Sequence, residues 1–254
     1  MVVDALGPAG RGAVLEIGPG KAAITTLLAA RASRLVAVEV DPALAATLRT
    51  HFAASPTVEI LETDVLALDI ASLVHEPRQG QERGRTLAVI GNLPYYITSP
   101  ILQHLFTHER VLSRAVLMVQ REVAERMTAE PGHSEYGALS VLCQIHATVQ
   151  LLFTLPPGAF QPQPEVHSAA VRLEFAPRWQ ELGVEPGPFT RFLRMCFAQK
   201  RKTLSNNLRA AGYEAGLIGK ALQARDTTTN ARAEELSPAE LAAVFLGLQP
   251  APPP

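Results

Sequence analysis

Cysteine is almost absent from this chain. Cys143 and Cys196 are the only two, far apart and in apolar surroundings (VLC, RMC). That excludes a disulfide framework and reads as two reduced, buried thiols of a cytosolic protein. The opening, MVVDALGPAGRG, has no basic start followed by an apolar stretch, so no secretory signal is expected. No hydrophobic run approaches the length of a membrane span. Among seven histidines there is no Cys/His cluster. Only His104 and His108 share an i, i+4 spacing, and without a third ligand they read as helix-face residues rather than a metal site. There is no P-loop lysine pattern and no Ser/His/Asp arrangement, so nothing calls for nucleotide hydrolysis or triad chemistry.

Another absence is local. From Phe189 to Gly212 there is no Asp or Glu, while Arg191, Arg194, Lys200, Arg201, Lys202 and Arg209 all fall there. The formal net charge of −1 conceals this segment. Such a concentration of cations can hold a polyanion locally, although a solvated helix face has the same pattern.

At 254 residues and 47% hydrophobic, the chain can bury one large domain, or one with a small appendage, without staples. Strands are expected at Gly12–Gly18, Arg34–Val40, Thr57–Thr63, Thr86–Asn92, Arg114–Gln120, His146–Leu155 and His167–Phe175. Helical patterns lie between them at Lys21–Ala32, Ala43–Ala53, Ser99–His108, Arg121–Ala129 and Tyr136–Ile145. Alternation of this kind predicts an α/β fold with a mostly parallel sheet covered on both faces. The early strands are apolar throughout, as doubly covered strands should be. His75–Arg85 reads as a polar surface excursion and the APPP tail as disordered. Beyond Pro177 strand signals stop and Leu, Ala and Arg dominate. Ser237, Pro238 and Glu240 form an N-cap, a first-turn proline and a capping box. The expected division is residues 1–180 and 181–254.

Three features fall at the C-terminal ends of successive strands, where open α/β sheets bind ligands. Gly18-Pro19-Gly20, in LEIGPGKAA, turns a strand into a helix and lets a ligand approach the backbone. Taken alone, that turn is common to many folds. Glu39, about 20 residues on, can accept from the hydroxyls of a ribose, whereas Asp41 suits the cap of the next helix. Asp64 can accept from an adenine amine or cap a turn. Together they outline a pocket for an adenosine-containing cofactor, either a nicotinamide dinucleotide or S-adenosylmethionine.

GNLPYYITSP (Gly91–Pro100) separates the two. An exocyclic base amine is a poor nucleophile because its lone pair is delocalised. Acceptors on its hydrogens favour the tetrahedral nitrogen of the transition state. The Asn92 side-chain oxygen and the Pro94 carbonyl can supply them, and Tyr95 can stack on the flipped base. Hydride transfer has no use for this set.

EIGPG (Glu16–Gly20), VEVD (Val38–Asp41), Asp64, GNLPYYITSP, YGALSVLCQ (Tyr136–Gln144), VQLLFTLPPGAFQPQPEVHSAAVRL (Val149–Leu173) and FAQKRKTLSNNL (Phe197–Leu208) run in order along nearly the whole chain. In this it resembles the ribosomal RNA adenine N6-dimethyltransferases, the kasugamycin-sensitivity family. The resemblance implies a Rossmann-like, S-adenosylmethionine-dependent methyltransferase domain with a seven-stranded sheet, followed by a small all-helical domain that binds RNA. It implies cofactor contacts at Glu16, Gly18, Gly20, Glu39, Asp64 and Asn92, and a target-amine site at Asn92, Pro94 and Tyr95. Phe160 would be a second aromatic clamping the base, since base–aromatic stacking contributes about 1–3 kcal/mol per base. Lys200, Arg201 and Lys202 would grip the RNA backbone. The implied reaction is in-line transfer of methyl groups to two adjacent adenosines near the 3′ end of 16S rRNA in the small ribosomal subunit. It would proceed in the cytoplasm, by a monomer, without metal.

The family's Gly-Gln-Asn/His-Phe signature is not among Met1–Arg11. The expectation is weaker cofactor binding than in a chain that carries it. Three rival readings remain. One is a large-subunit rRNA adenine methyltransferase of the macrolide-resistance type, which shares an Asn-x-Pro-Tyr site. The others are a non-catalytic ribosome-assembly factor and a nicotinamide-dependent oxidoreductase.

Overall fold

The computed structural model describes residues 2–74, 86–159, 163–224 and 228–248. The expected excursion at His75–Arg85, Phe160 and the APPP tail lie outside the described residues. Seven strands, β1 (Ala13–Ile17), β2 (Arg34–Glu39), β3 (Val58–Glu62), β4 (Leu87–Asn92), β5 (Leu112–Gln120), β6 (Ala147–Leu155) and β7 (Ser168–Phe175), form one sheet in the order β3-β2-β1-β4-β5-β7-β6. The first five run parallel, and β7 is antiparallel to β5. This is the mostly parallel, seven-stranded, Rossmann-like sheet that the resemblance implies. β1, β2 and β4 are buried almost throughout, while the outer β3 and β6 are partly exposed.

The chain runs outward from β1 to β2 and β3, then returns to β4 on the other side of β1. That reversal opens a crevice at the C-terminal ends of β1 and β4, where ligands of open α/β sheets bind. Helices α1 (Thr25–Ala29), α2 (Pro42–His51) and α3 (Thr98–Thr107) follow β1, β2 and β4. Asp41 caps α2, its Oδ1 accepting from the amides of Ala43 (2.8 Å) and Leu44 (3.0 Å). Such a cap contributes about 1 kcal/mol. α1 starts four residues later than the expected Lys21, because Gly20 (φ +54°) and Ala22 (φ +65°) hold left-handed backbone.

The residues before β1, unassigned from sequence, form a 3-10 segment, Asp4–Arg11, docked on the sheet. Leu6 is fully buried and packs with Val14, Leu28, Leu35, Ala88 and Val116. Arg114 of β5 donates to the Leu6 carbonyl (2.5 Å) and pairs with Glu174 (2.7 Å). Gly7 is required there: its φ is +56°, and an added Cβ would lie 2.7 Å from the Arg114 Nη1.

The chain divides into two compact units, residues 1–124 with 148–175, and residues 125–147 with 176–254. The second is helical: the C-terminal half of α4 (Arg121–Thr128), then α5 (Ala138–His146), α6 (Trp179–Leu182), α7 (Pro186–Cys196), α8 (Leu204–Ala210), α9 (Ala215–Gln223) and α10 (Pro238–Leu248). The expected division, residues 1–180 and 181–254, was linear in sequence, whereas these units are not. Tyr136, Val141 and Ile145 are buried in one cluster with Phe189, Phe192, Leu208 and Leu241. The Tyr136 hydroxyl donates to the Leu236 carbonyl across 100 residues of sequence (3.0 Å). The expected capping box opens α10: the Ser237 amide donates to Glu240 Oε2 (2.8 Å) and the Glu240 amide to Ser237 Oγ (3.3 Å). Cys143 and Cys196 are both buried and unbridged, and burial pushes the Cys143 thiol up to about 12. Among the described residues no helix is long and apolar enough to cross a membrane.

Candidate active site

The crevice is assembled from four strand ends. After β1, the Gly18 amide donates to the Val38 carbonyl (3.0 Å) and so holds the glycine turn against β2. Gly18 (φ +68°) and Gly20 (φ +54°) both need the left-handed region, where glycine is at ease. At the end of β2, Glu39 is only 6% exposed. Its Oε2 accepts from the Gly20 amide (3.1 Å) and its Oε1 from the Asp41 amide (3.0 Å). Each oxygen keeps a further lone pair, so this is a rigidly aimed carboxylate with acceptor capacity left.

Asp64 follows β3 and is exposed. Its Oδ1 caps the short turn Val65–Ala67 by accepting from the Leu66 amide (2.9 Å). The capping role weighed for it is real, and Oδ2 is left over for a ligand.

Glu16, inside β1, is 1% exposed, and its Oε2 has no hydrogen-bond partner among the described residues. Burial pushes its carboxyl up to about 7, with the Thr25 hydroxyl opposing the rise and the Glu39 charge adding to it. The Thr25 oxygen makes no hydrogen bond of acceptable geometry, so burial decides the direction.

β4 delivers the motif that sequence singled out. Gly91 passes close to β1: an added Cβ would lie 2.9 Å from the Ile17 carbonyl oxygen. Asn92 is exposed at the strand end, and its side chain has no partner among the described residues. Its backbone oxygen lies 3.8 Å from where a Cβ on Gly18 would sit, which puts the motif beside the glycine turn. The Leu93 amide donates to the Met118 carbonyl (3.0 Å) and anchors the chain to β5.

The Pro94 carbonyl, expected to hold the target amine, is already occupied. It accepts from the Ile97 amide (3.1 Å) and the Thr98 hydroxyl (3.2 Å), closing the 3-10 turn Tyr95–Ile97. A carbonyl oxygen has two lone pairs, and both are engaged. Among the described residues no loop or turn bond is made to the neighbouring carbonyl, that of Leu93. Tyr95 is half-buried, and its hydroxyl bonds to Ser168 Oγ (2.6 Å). Ser168 was not singled out from sequence. Its only signal was a place at the end of PQPEVHS. Phe160 cannot be set against Tyr95, since it lies outside the described residues.

In the helical unit, all six basic residues of the acid-free segment are exposed. The loop carrying Lys200, Arg201 and Lys202 is pinned by buried Asn207, which donates to the carbonyls of Cys196 (2.7 Å) and Gln199 (3.2 Å). Lys200 donates to the Ser134 carbonyl. Arg201 and Lys202 have no partner among the described residues. The histidine pair is also occupied: His104 Nε2 meets the Leu68 carbonyl (2.9 Å) and His108 lies 3.3 Å from Asp69. Among the described residues no three His, Cys, Asp or Glu side chains group as metal ligands.

The crevice fits a nucleoside-bearing cofactor. It offers an aimed carboxylate, a left-handed glycine turn and an orphaned buried carboxyl oxygen, and a free amide stands where a reacting group would arrive.

Residues 1–249 match the family model described as Ribosomal RNA adenine dimethylase. The Ribosomal RNA small subunit methyltransferase A of Acidobacterium capsulatum is 54% identical over 248 residues, 98% of this chain and 85% of that protein. Its namesake in Koribacter versatilis is 46% identical over 242 residues, 93% of this chain and 84% of that protein. Among solved structures, a dimethyladenosine transferase from Plasmodium falciparum shares the fold with a TM-score of 0.75 at 24% identity, covering 97% of this chain and 93% of that one. The 23S rRNA methyltransferase ErmE shares it with a TM-score of 0.69 at 24% identity, covering 97% and 95%. By a match that spans almost all of its length, this chain belongs to the ribosomal RNA adenine dimethylase family.

Proposed function

We propose that this protein transfers methyl groups from S-adenosylmethionine to N6 of two adjacent adenosines near the 3′ end of 16S rRNA, within the small ribosomal subunit. The observation that carries the reading is Asn92, an exposed amide without a partner among the described residues, at the end of β4 beside the glycine turn of β1.

Glu39 would hold the ribose hydroxyls of the cofactor and Asp64 Oδ2 its adenine amine, while Gly18 and Gly20 let it approach the backbone. Glu16 would face it from inside β1. When bound, the cofactor supplies an electrophilic methyl group carried on a sulfonium. The Asn92 Oδ1 and the Leu93 carbonyl accept the two hydrogens of the target amine. Both favour the tetrahedral nitrogen that forms as its lone pair leaves the ring's conjugation. Tyr95 provides the stacking face, with Phe160 as the aromatic opposite. The proton shed by the nitrogen passes to solvent, for no strong base stands at the strand end. Arg201 and Lys202 contact rRNA phosphates, joined by Lys200 once it exchanges its Ser134 contact.

The names of the relatives favour the small-subunit substrate over the large-subunit rival. A ribosomal substrate places the reaction in the cytoplasm, and nothing in the site requires more than a monomer. The test is transfer of labelled methyl from S-adenosylmethionine to undermethylated small subunits, with the label located by primer extension. Label on the paired adenosines, lost in Asn92→Ala, is the expected result. Subunit binding without label would replace this reading with that of an assembly factor.

A further inference from the structure

Base stacking needs a ring, not a hydroxyl, yet the residue after Asn-Leu-Pro is tyrosine and its hydroxyl is engaged. Tyr95 opens a short turn that the Pro94 carbonyl closes by accepting from the Ile97 amide and the Thr98 hydroxyl, and neither bond holds the ring itself. At the far end of its ring, the hydroxyl meets Ser168 Oγ at 2.6 Å. Ser168 is fully buried at the first position of β7 and faces Gln120 of β5 in the ladder. The amide of Arg121 donates to the His167 carbonyl (3.0 Å) and closes that end of the sheet. The serine hydroxyl is therefore fixed to the most rigid frame nearby and has no described partner besides Tyr95.

We propose that Ser168 is a positioning residue: its bond to the Tyr95 hydroxyl locks the ring as a preset stacking platform for the target adenine. With one end tied to β4 and the other to β7, the ring cannot rotate about its side-chain bonds without breaking the tether. Without the tether it samples other rotamers, and the base it carries no longer meets the Asn92 amide in one orientation. Loss of the Tyr95 hydroxyl also strands that of Ser168, which is beyond the reach of water.

The inference rests on the adenine-methylating reading and deepens it. Tyr95→Phe keeps the ring and its packing. Ser168→Ala removes the anchor. The two are compared with the double variant and with Ser168→Thr, which keeps a hydroxyl. Methyl transfer to undermethylated small subunits gives kcat and KM. Small-subunit RNA with 2-aminopurine at the target position reports stacking by its quenching. Each single variant should lower kcat about two- to tenfold, the range expected for one hydrogen bond. The KM for S-adenosylmethionine should not change. The double variant should be no slower than either single, Ser168→Thr should recover most of the rate, and 2-aminopurine should quench less in Ser168→Ala than in the unaltered chain. Independent, multiplying effects, or unaltered quenching and kcat in Ser168→Ala, overturn the proposal. If Ser168→Ala folds poorly, Tyr95→Phe carries the test. Failure of the unaltered chain to transfer methyl would instead count against the parent reading, and the quenching comparison, which needs no transfer, still decides the tether.

Discussion

Glu16 offers a test that needs neither cofactor nor RNA. Its carboxyl is held inside β1 at 1% exposure with one oxygen unpartnered, and its pKa rises from 4.5 to about 7. The unfolded chain has no such constraint. Below pH 4.5 the group is protonated in both states and adds nothing to the pH dependence of folding. Between the two values the folded state holds more proton than the unfolded one, so stability falls as pH rises. Above about 7 the folded protein carries the whole cost of a buried charge, about 3 kcal/mol at 1.4 kcal/mol per unit. Glu16→Gln removes the titration and keeps the shape. Hydrogen exchange of the β1 amides reads the stability of this unit separately from that of the helical one. The variant should gain on the unaltered protein as pH rises from 4.5 to 8, by about a hundredfold in protection. A difference between the two proteins that stays flat over that range would refute the reasoning.

Gly91→Ala should lower stability by about 1–3 kcal/mol, because its Cβ would press to within 2.9 Å of the Ile17 carbonyl and push β1 from β4. Denaturant unfolding reads it. Asn207→Ala should cost about 1–3 kcal/mol by leaving the Cys196 carbonyl without its buried donor. The same variant should weaken small-subunit binding, measured by filter retention, since the loop it pins carries the cations. Arg201→Ala and Lys202→Ala should leave the melting temperature unchanged. Each should flatten the dependence of log K on log salt by about one unit, as the loss of one phosphate contact does.

Much of the sheet was legible because its strands are buried on both faces. Runs such as LVAV and LAVIG have no polar side to hide. The Asp41-Pro42 start of α2 and the Ser237–Glu240 box of α10 were legible for a different reason: a cap is a local device, complete within four residues. What escaped depended on contacts between distant segments. Nothing local in MVVDALGPAGR announces that Leu6 will be fully buried or that Arg114, 108 residues on, will hold its carbonyl. Residues 125–147 read as one more helical connection between strands. Tyr136, Val141 and Ile145, buried among the C-terminal helices, show that they belong there. The start of α1 was misplaced because alanine at position 22 gives no hint of a left-handed backbone.

The same distinction runs through the site. Residue types and strand ends were enough to expect Gly18, Gly20, Glu39, Asp64 and Asn92 near one crevice, because each stands at or just after the end of a recognisable strand; Glu16, inside β1, came from the resemblance alone. They could not say which atoms would be free. Asp41 takes the α2 cap, which releases Glu39 from that duty, and two backbone amides then aim its oxygens. Asp64 caps its own turn and keeps one oxygen. Pro94 fixes the turn so well that its carbonyl is engaged in closing it, which is why the acceptor proposed above is the Leu93 carbonyl. A motif names residues, whereas chemistry is done by the lone pairs the fold has not already used. The hydroxyl of Tyr95 follows the same logic in reverse: its bond to Ser168 has no place in the transfer of a methyl group, and its use is to decide where the ring can be.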